Sequence, residues 1–188
     1  MAKKILTTKE IEVLVEKAKS GDTGAFADLY DFFVDSVYRY IFFRVKKDDA
    51  LDLTENVFLK IWENLKNYKH TEGCGFASWV YRIAHNAVVD YYRLYKEYDE
   101  LDLRIADEKK HNDPIVITER KLGQDALKTA ISKLKKTYQQ IILLKYINEL
   151  ENHEIARVMR KSEGSIRILK FRALKALRKI LEEMKIKY

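Results

Sequence analysis

Apolar side chains recur at steps of three and four wherever a period is visible in this chain, the spacing that gives a helix one buried stripe. Thr7 and Glu10 have the spacing of a capping box, and the helix after them is expected to end near Gly21. Asp22 starts a second helix, in which Phe26, Leu29, Tyr30, Phe33, Val37, Tyr40 and Ile41 form the stripe. The polar run Lys46-Lys47-Asp48-Asp49 breaks it. A third helix is expected over Asp49–Asn67, with Leu53, Val57, Ile61 and Leu65 inward, then a loop over Tyr68–Gly75. A fourth spans Phe76–Lys96, burying Trp79, Ile83, Ala87, Tyr91 and Leu94. Over residues 97–113 the period fails: seven acidic and three basic residues with few large apolar groups read as a linker. Asp113-Pro114 is a helix start, and further helices follow near 114–134 and 137–147. With six glycines and one proline, hairpins are not expected. The fold class is all-α, as two small helical domains, 1–96 and 114–188, joined by the acidic linker 97–113.

The last part of the chain has the most specific pattern. A short helix over Asn152–Met159, a junction at Arg160-Lys161-Ser162 and a long helix beyond Ser162 make a helix-turn-helix layout. Asn152 is expected to cap the first helix and Ser162 the second, with Glu163 favoured by the helix dipole. In the second helix Ile166, Leu169, Ala173, Leu177, Ile180, Leu181 and Met184 give the apolar face. At 100° per residue the opposite face carries Ser165, Ile168, Arg172, Lys175 and Lys179, with Arg167 on its flank.

Charge sharpens this picture. The net charge of +7 is unevenly spread: +1 over residues 1–96, −4 over 97–126 and +10 over 127–188. A basic last third fits a module that neutralises phosphates. No run of apolar residues approaches the ~18–20 needed to span a bilayer, and the N-terminus lacks a signal peptide's apolar centre, so a soluble, cytoplasmic protein is expected. The single cysteine, Cys74, forms no internal disulfide.

Two further faces carry candidate chemistry. On the fourth helix Arg82, His85, Asn86, Val89, Arg93 and Lys96 form a face expected opposite Trp79, and the loop before it adds Lys69 and His70. Cations beside rings and an amide suit single-stranded nucleic acid, although tyrosines on a helix are more often core. The third helix presents Asp52, Glu55, Asn56 and Lys60 with Phe58 and Trp62, either a solvated edge or a docking face with aromatic anchors. His70, His85, His111 and His153 lie in separate segments without metal spacing, and no phosphate-binding glycine loop or nucleophile triad is visible. Neither an enzyme nor a cofactor is expected.

Taken together, these stretches resemble the bacterial RNA polymerase sigma factors of the extracytoplasmic-function (ECF) type, over most of the chain from Gly21 to Leu181. Four anchors in order carry the resemblance: Ala25-Phe26 to Tyr30 with Val37-Tyr38-Arg39-Tyr40; Asp52 through Trp62; Phe76 through Asn86 with Asp90-Tyr91-Tyr92-Arg93; and Glu154-Ile155-Ala156 with Ser162 through Arg167, Arg172-Ala173-Leu174 and Leu177-Arg178. The chain departs from the family pattern at Glu55-Asn56, where Gln-Glu or Gln-Asp is usual. It departs again at Arg160, where the turn usually has Gly, at Lys135 in place of Pro, and in turning acidic after Arg93.

The resemblance implies three surfaces. Asp52, Glu55, Asn56, Phe58, Leu59 and Trp62 would dock on core RNA polymerase. Lys69, His70, Arg82, Asn86 and Arg93 would hold the melted minus-ten strand of promoter DNA. Lys161, Ser162, Ser165, Arg167, Ile168, Arg172 and Lys175 would meet the minus-thirty-five duplex. There Arg167 and Arg172 suit guanine N7/O6, Lys161 and Lys175 phosphates, and Ile168 a thymine methyl. The family also leaves room for an anti-sigma partner, and implies neither membrane insertion nor a small-molecule substrate. A helix-turn-helix regulator that never joins polymerase, and a purely protein-binding adaptor, are the rival readings; co-elution with core polymerase separates the first from a sigma factor.

Overall fold

The computed structural model describes residues 6–71, 75–102 and 119–184, which form eight α-helices. Helix α1 (Thr8–Lys19) opens on the expected capping box: the Thr7 hydroxyl accepts from Glu10 N–H at 3.3 Å and the Glu10 carboxylate from Thr7 N–H at 2.7 Å. Gly21 then turns the chain at φ +101°, where an L side chain would be strained. Asp22 caps α2 (Thr23–Phe42), its Oδ1 accepting from Ala25 N–H at 3.0 Å. Helix α3 (Ala50–Asn64) tightens into a 3₁₀ turn at Leu65–Asn67. Helix α4 (Phe76–Asp102) runs past Lys96 into the stretch expected to be linker. Then come α5 (Glu119–Ser132), α6 (Lys136–Ile142) widening into a π turn at Leu143–Ile147, α7 (Asn152–Met159) and α8 (Glu163–Glu183). The helix start expected at Asp113-Pro114, and Cys74, lie outside the described residues.

Helix α4 organises the packing. Its buried apolar residues are Phe76, Val80, Tyr81, Ala84, Ala87 and Val88. The expected inward stripe is therefore rotated: Trp79, Ile83 and Tyr91 are half-buried and Leu94 is 56% exposed. The cause is that α4 is covered by α1, α2 and α3 and again by α7. Two coverings widen and rotate the buried arc beyond the narrow stripe that the spacing suggests. One apolar core consequently runs through both halves of the chain, from Val15 and Phe33 across Val80 to Leu144 and Ile155.

A polar knot sits at the seam. Gln140 Nε2 and Arg44 Nη1 approach His85 Nδ1 at 3.0 and 3.2 Å, with the Tyr40 hydroxyl at 3.5 Å. Arg44 Nη1 also donates to the Tyr40 hydroxyl, and the Tyr92 hydroxyl donates to the Arg44 carbonyl. Burial pushes the Tyr40 hydroxyl above its ordinary pKa, so it stays protonated. Around this knot Lys128 lies 3.8 Å above the Phe42 ring and Lys136 lies 4.0 Å above Tyr92, cation–π contacts that join α5 and α6 to the first half.

Candidate nucleic-acid interface

The helix-turn-helix is built as its sequence suggests, with one difference at its start. Glu151 rather than Asn152 is the N-cap of α7, and the Glu154 carboxylate accepts from Glu151 N–H at 2.8 Å. Asn152 Oδ1 is buried without a hydrogen-bond partner. The chain thus enters the helix one residue earlier than expected, and Asn152 becomes the first helical residue instead of its cap. Arg160 ends α7 in the left-handed region, φ 51° and ψ 50°, the conformation glycine adopts most cheaply. Ser162 caps α8, accepting from Ser165 N–H at 3.2 Å, and the two serine hydroxyls stand 2.9 Å apart.

Ile166 and Ala173 of α8 are buried, whereas Lys161, Ser162, Ser165, Arg167, Ile168, Arg172 and Lys175 are all exposed. The expected basic face is therefore free to meet a groove. Ile168 is 54% exposed, and beside it Phe171 at 69% and Leu174 at 41% extend an apolar strip that the sequence reading did not include. Spacing of three from Ile168 through Phe171 to Leu174 is the signal that could have found it.

The residues expected at a melted strand are only partly gathered. Arg82 and Asn86 share a shallow pocket of about 390 Å³ with Trp79, Lys60, Asn64 and Asn67. Trp79 is thus a neighbour of Arg82 and Asn86, not opposite them; at about 100° per residue, Arg82 lies roughly 60° and Asn86 roughly 20° from it around the helix. The ring is propped from behind by Tyr68 and Phe76, both with centroids at 5.4 Å. Asn64 and Asn67 belong to this pocket and were missed, because they reach it from the end of α3 and its 3₁₀ turn. Arg93 lies farther along α4, 3.8 Å from Asp90, whose side chain lines the same pocket. His70 is held elsewhere, its Nδ1 3.1 Å from the Glu12 carboxylate. Glu12 also accepts from the Tyr68 hydroxyl at 2.9 Å and Phe76 N–H at 3.1 Å, so one side chain of α1 fastens both ends of the loop. Lys69 lies in a separate cleft of about 700 Å³ that Arg82 lines as well, and that Lys161 lines from the other half.

A third surface lies on α2 and α3. Tyr30, Leu59 and Trp62 are exposed around a groove that Glu55 borders. Asp52 and Asn56 are exposed on the same helix. Phe58 is only 6% exposed, packed on Tyr30 at 4.6 Å, so it supports the groove from below instead of projecting from it. Trp62 is set edge-on to Phe26 at 4.7 Å.

Comparison with known proteins matches both halves. Residues 29–97 fit the family model described as Sigma-70 region 2, and residues 124–177 the one described as Sigma-70, region 4. The chain is 34% identical over 174 residues to the ECF RNA polymerase sigma factor BldN of Streptomyces coelicolor, covering 90% of this chain and 65% of BldN's length. It is 28% identical over 185 residues to the ECF RNA polymerase sigma factor SigW of Bacillus subtilis, covering 93% of this chain and 98% of SigW. In fold it is similar to the sigma factor RpoE in its co-crystal with the anti-sigma factor NepR from Bartonella quintana, with a TM-score of 0.70 at 18% identity over 84% of this chain and 96% of that one.

Proposed function

The chain belongs to the extracytoplasmic-function (ECF) sigma factors of bacterial RNA polymerase, and from that premise we propose that it is a dissociable subunit directing promoter-specific transcription initiation. In this reading residues 1–96 dock on polymerase and open the minus-ten element, residues 114–188 grip the minus-thirty-five element, and 97–113 link them. The observation that carries it is a capped helix-turn-helix whose second helix turns Arg167, Arg172 and Lys175 to solvent while burying Ile166 and Ala173.

The role of each surface follows from its chemistry. Leu59 and Trp62, propped by Phe58 and flanked by Glu55 and Asn56, form the polymerase anchor, since apolar side chains in a polar rim are where binding energy concentrates. Arg167 and Arg172 donate to guanine edges, Lys161 and Lys175 to phosphates, and Ile168 meets a thymine methyl. Ser162 and Ser165 already bond each other, so their role is to set the helix end facing a phosphate. Unstacking a base costs a few kcal/mol, and the pocket of Trp79, Arg82 and Asn86 offsets that by offering a ring, a cation and an amide. Arg93 extends this surface along α4 and Lys69 extends it into the neighbouring cleft, while His70 acts on it only after release from Glu12.

The packed halves add a step. Elements named minus-ten and minus-thirty-five lie about 85 Å apart at ~3.4 Å per base pair. Lys69 and Arg82 of one surface and Lys161 of the other line a single cleft here. The halves therefore separate before both elements are engaged, and the packed form is a resting state. An anti-sigma partner would act by holding it. Run-off transcription with core polymerase on a pool of genomic fragments tests the proposal: new start sites are expected, and none appearing, with no co-elution with core polymerase, overturns it.

A further inference from the structure

Beyond promoter recognition, we infer that the cleft between the two halves binds a nucleoside polyphosphate, whose phosphates rest on Arg157, Arg160 and Lys161 and whose base lies against Trp79. The cleft is about 700 Å³, within the ~300–1,000 Å³ usual for small-molecule sites and far too small for a duplex. Lys69 and Arg82 line it from the first half, and Arg157, Arg160 and Lys161 from the second. All five are exposed, and none is in an ion pair among the described residues. Glu163 is the one carboxylate among the described lining residues.

Five like charges lining one cleft repel, and a concave surface concentrates their field. That repulsion opposes the closure made by the apolar core and the His85 knot. A compact polyanion turns it into attraction from both sides. The guanidinium fork matches phosphate oxygens bidentately, which favours phosphates over a carboxylate ligand. The N-terminus of α8 opens onto the same place through Glu163, adding its dipole to the positive potential. Trp79, half-buried with its ring propped by Tyr68 and Phe76, supplies the stacking surface that sets a nucleotide apart from bare phosphate. Arg157 and Arg160 have no part in the promoter contacts proposed above, so this site gives them a role of their own.

The binding claim needs no polymerase; its consequence, a nucleotide that holds the resting form closed, rests on the sigma-factor reading. Calorimetric titration of the full chain with ATP and GTP, inorganic tripolyphosphate and a short single-stranded oligothymidylate tests it. A nucleoside triphosphate is expected to bind more tightly than tripolyphosphate. Arg157→Ala or Arg160→Gly should weaken it by about tenfold, the effect of one lost charge-assisted contact, without lowering the melting temperature. Equal affinity for tripolyphosphate, binding of the oligothymidylate alone, no binding at all, or variants that bind unchanged would each overturn the inference. A chain that binds nucleotide yet never joins core polymerase would fault the functional reading and leave the site standing.

Discussion

Gln140 donates to His85 Nδ1 at 3.0 Å, a hydrogen bond between side chains 55 residues apart that ties the second half of the chain to the first. Arg44 donates to the same nitrogen, so Nδ1 is the unprotonated one and His85 is neutral in the packed form. Arg44 is itself 6% exposed, with its Nε lacking a partner and no carboxylate bonded to it among the described residues. Burying a guanidinium against neutral acceptors is costly, and that cost opposes the apolar burial that closes the seam. Gln140→Ala removes one buried hydrogen bond, worth about 0.5–1.5 kcal/mol net, and should raise the open fraction roughly two- to tenfold. Small-angle scattering of the free protein checks it: the radius of gyration should grow, and an unchanged value means the knot is no latch.

Acid should loosen the same seam. Burial, then the nearby Arg44 charge, lowers the His85 pKa to about 4 from the ordinary 6.5. Between those values the released imidazole binds a proton and the packed one does not, so protons accumulate on the open form. Closure is thus intact above about pH 6.5 and is lost progressively as pH falls toward 4. Hydrogen exchange at α6 and α7 across this range should show it, and His85→Gln, which cannot titrate, should flatten the profile. A wild-type profile as flat as the variant's would assign the knot no pH response.

Much of this fold was legible in the sequence, and the exceptions share a physical cause. Caps at Thr7, Asp22 and Ser162 are local, set by residues within a turn of each other, and they stand as read, as does the inward apolar face of α8, fully buried at Ile166 and Ala173 and half-buried elsewhere. Helix α4 did not, because its second covering comes from α7, about seventy residues on, and no period within α4 encodes a neighbour that far away. Phe58 and Trp62 looked equivalent as anchors; a four-residue step differs by 40° around the helix, and packing against Tyr30 puts Phe58 beneath the surface. Of the residues expected at the melted strand, Arg82 and Asn86 are one turn apart and line one pocket, whereas His70 follows Glu12, a partner from α1 that loop sequence cannot name.

The groove on α2 and α3 separates binding from folding by two substitutions on one helix. Leu59 is 59% exposed, so Leu59→Asp should leave the melting temperature nearly unchanged while weakening association with core polymerase by about 2 kcal/mol or more if it is an anchor. Phe58→Ala empties a buried ring site and should cost about 3–5 kcal/mol of stability. Thermal melts and co-elution with core polymerase check both; a Leu59→Asp variant that assembles normally rules out this face.

Arginine and lysine on α8 should differ in kind. If Arg172 reads a guanine, Arg172→Ala costs about 1–3 kcal/mol and relaxes preference at one base pair. Lys175→Ala should weaken all promoter variants alike and reduce the salt slope by about 1, the signature of one lost phosphate contact. Holoenzyme binding to a library randomised at the minus-thirty-five element distinguishes them. Uniform loss for Arg172→Ala would make it a phosphate ligand too.

Strand opening is the step that the pocket on α4 is proposed to serve, and its residues divide the work. Trp79 is fixed by two rings and offers stacking, which every base accepts equally. Asn86 offers both a donor and an acceptor, so it is the group able to prefer one base edge. Arg93, proposed to meet the strand, is loosely paired with Asp90 at 3.8 Å, a contact weak enough to exchange for a phosphate. Asn86→Ala with Arg93→Ala should therefore leave duplex binding at the minus-thirty-five element intact while reducing permanganate reactivity of thymines near the start site. Removing Asn64 should add to the loss at the same bases, since its side chain lines the same pocket from α3. Full reactivity in the double variant would mean that the strand is held by other residues, and that this pocket is a surface hollow without a part in melting.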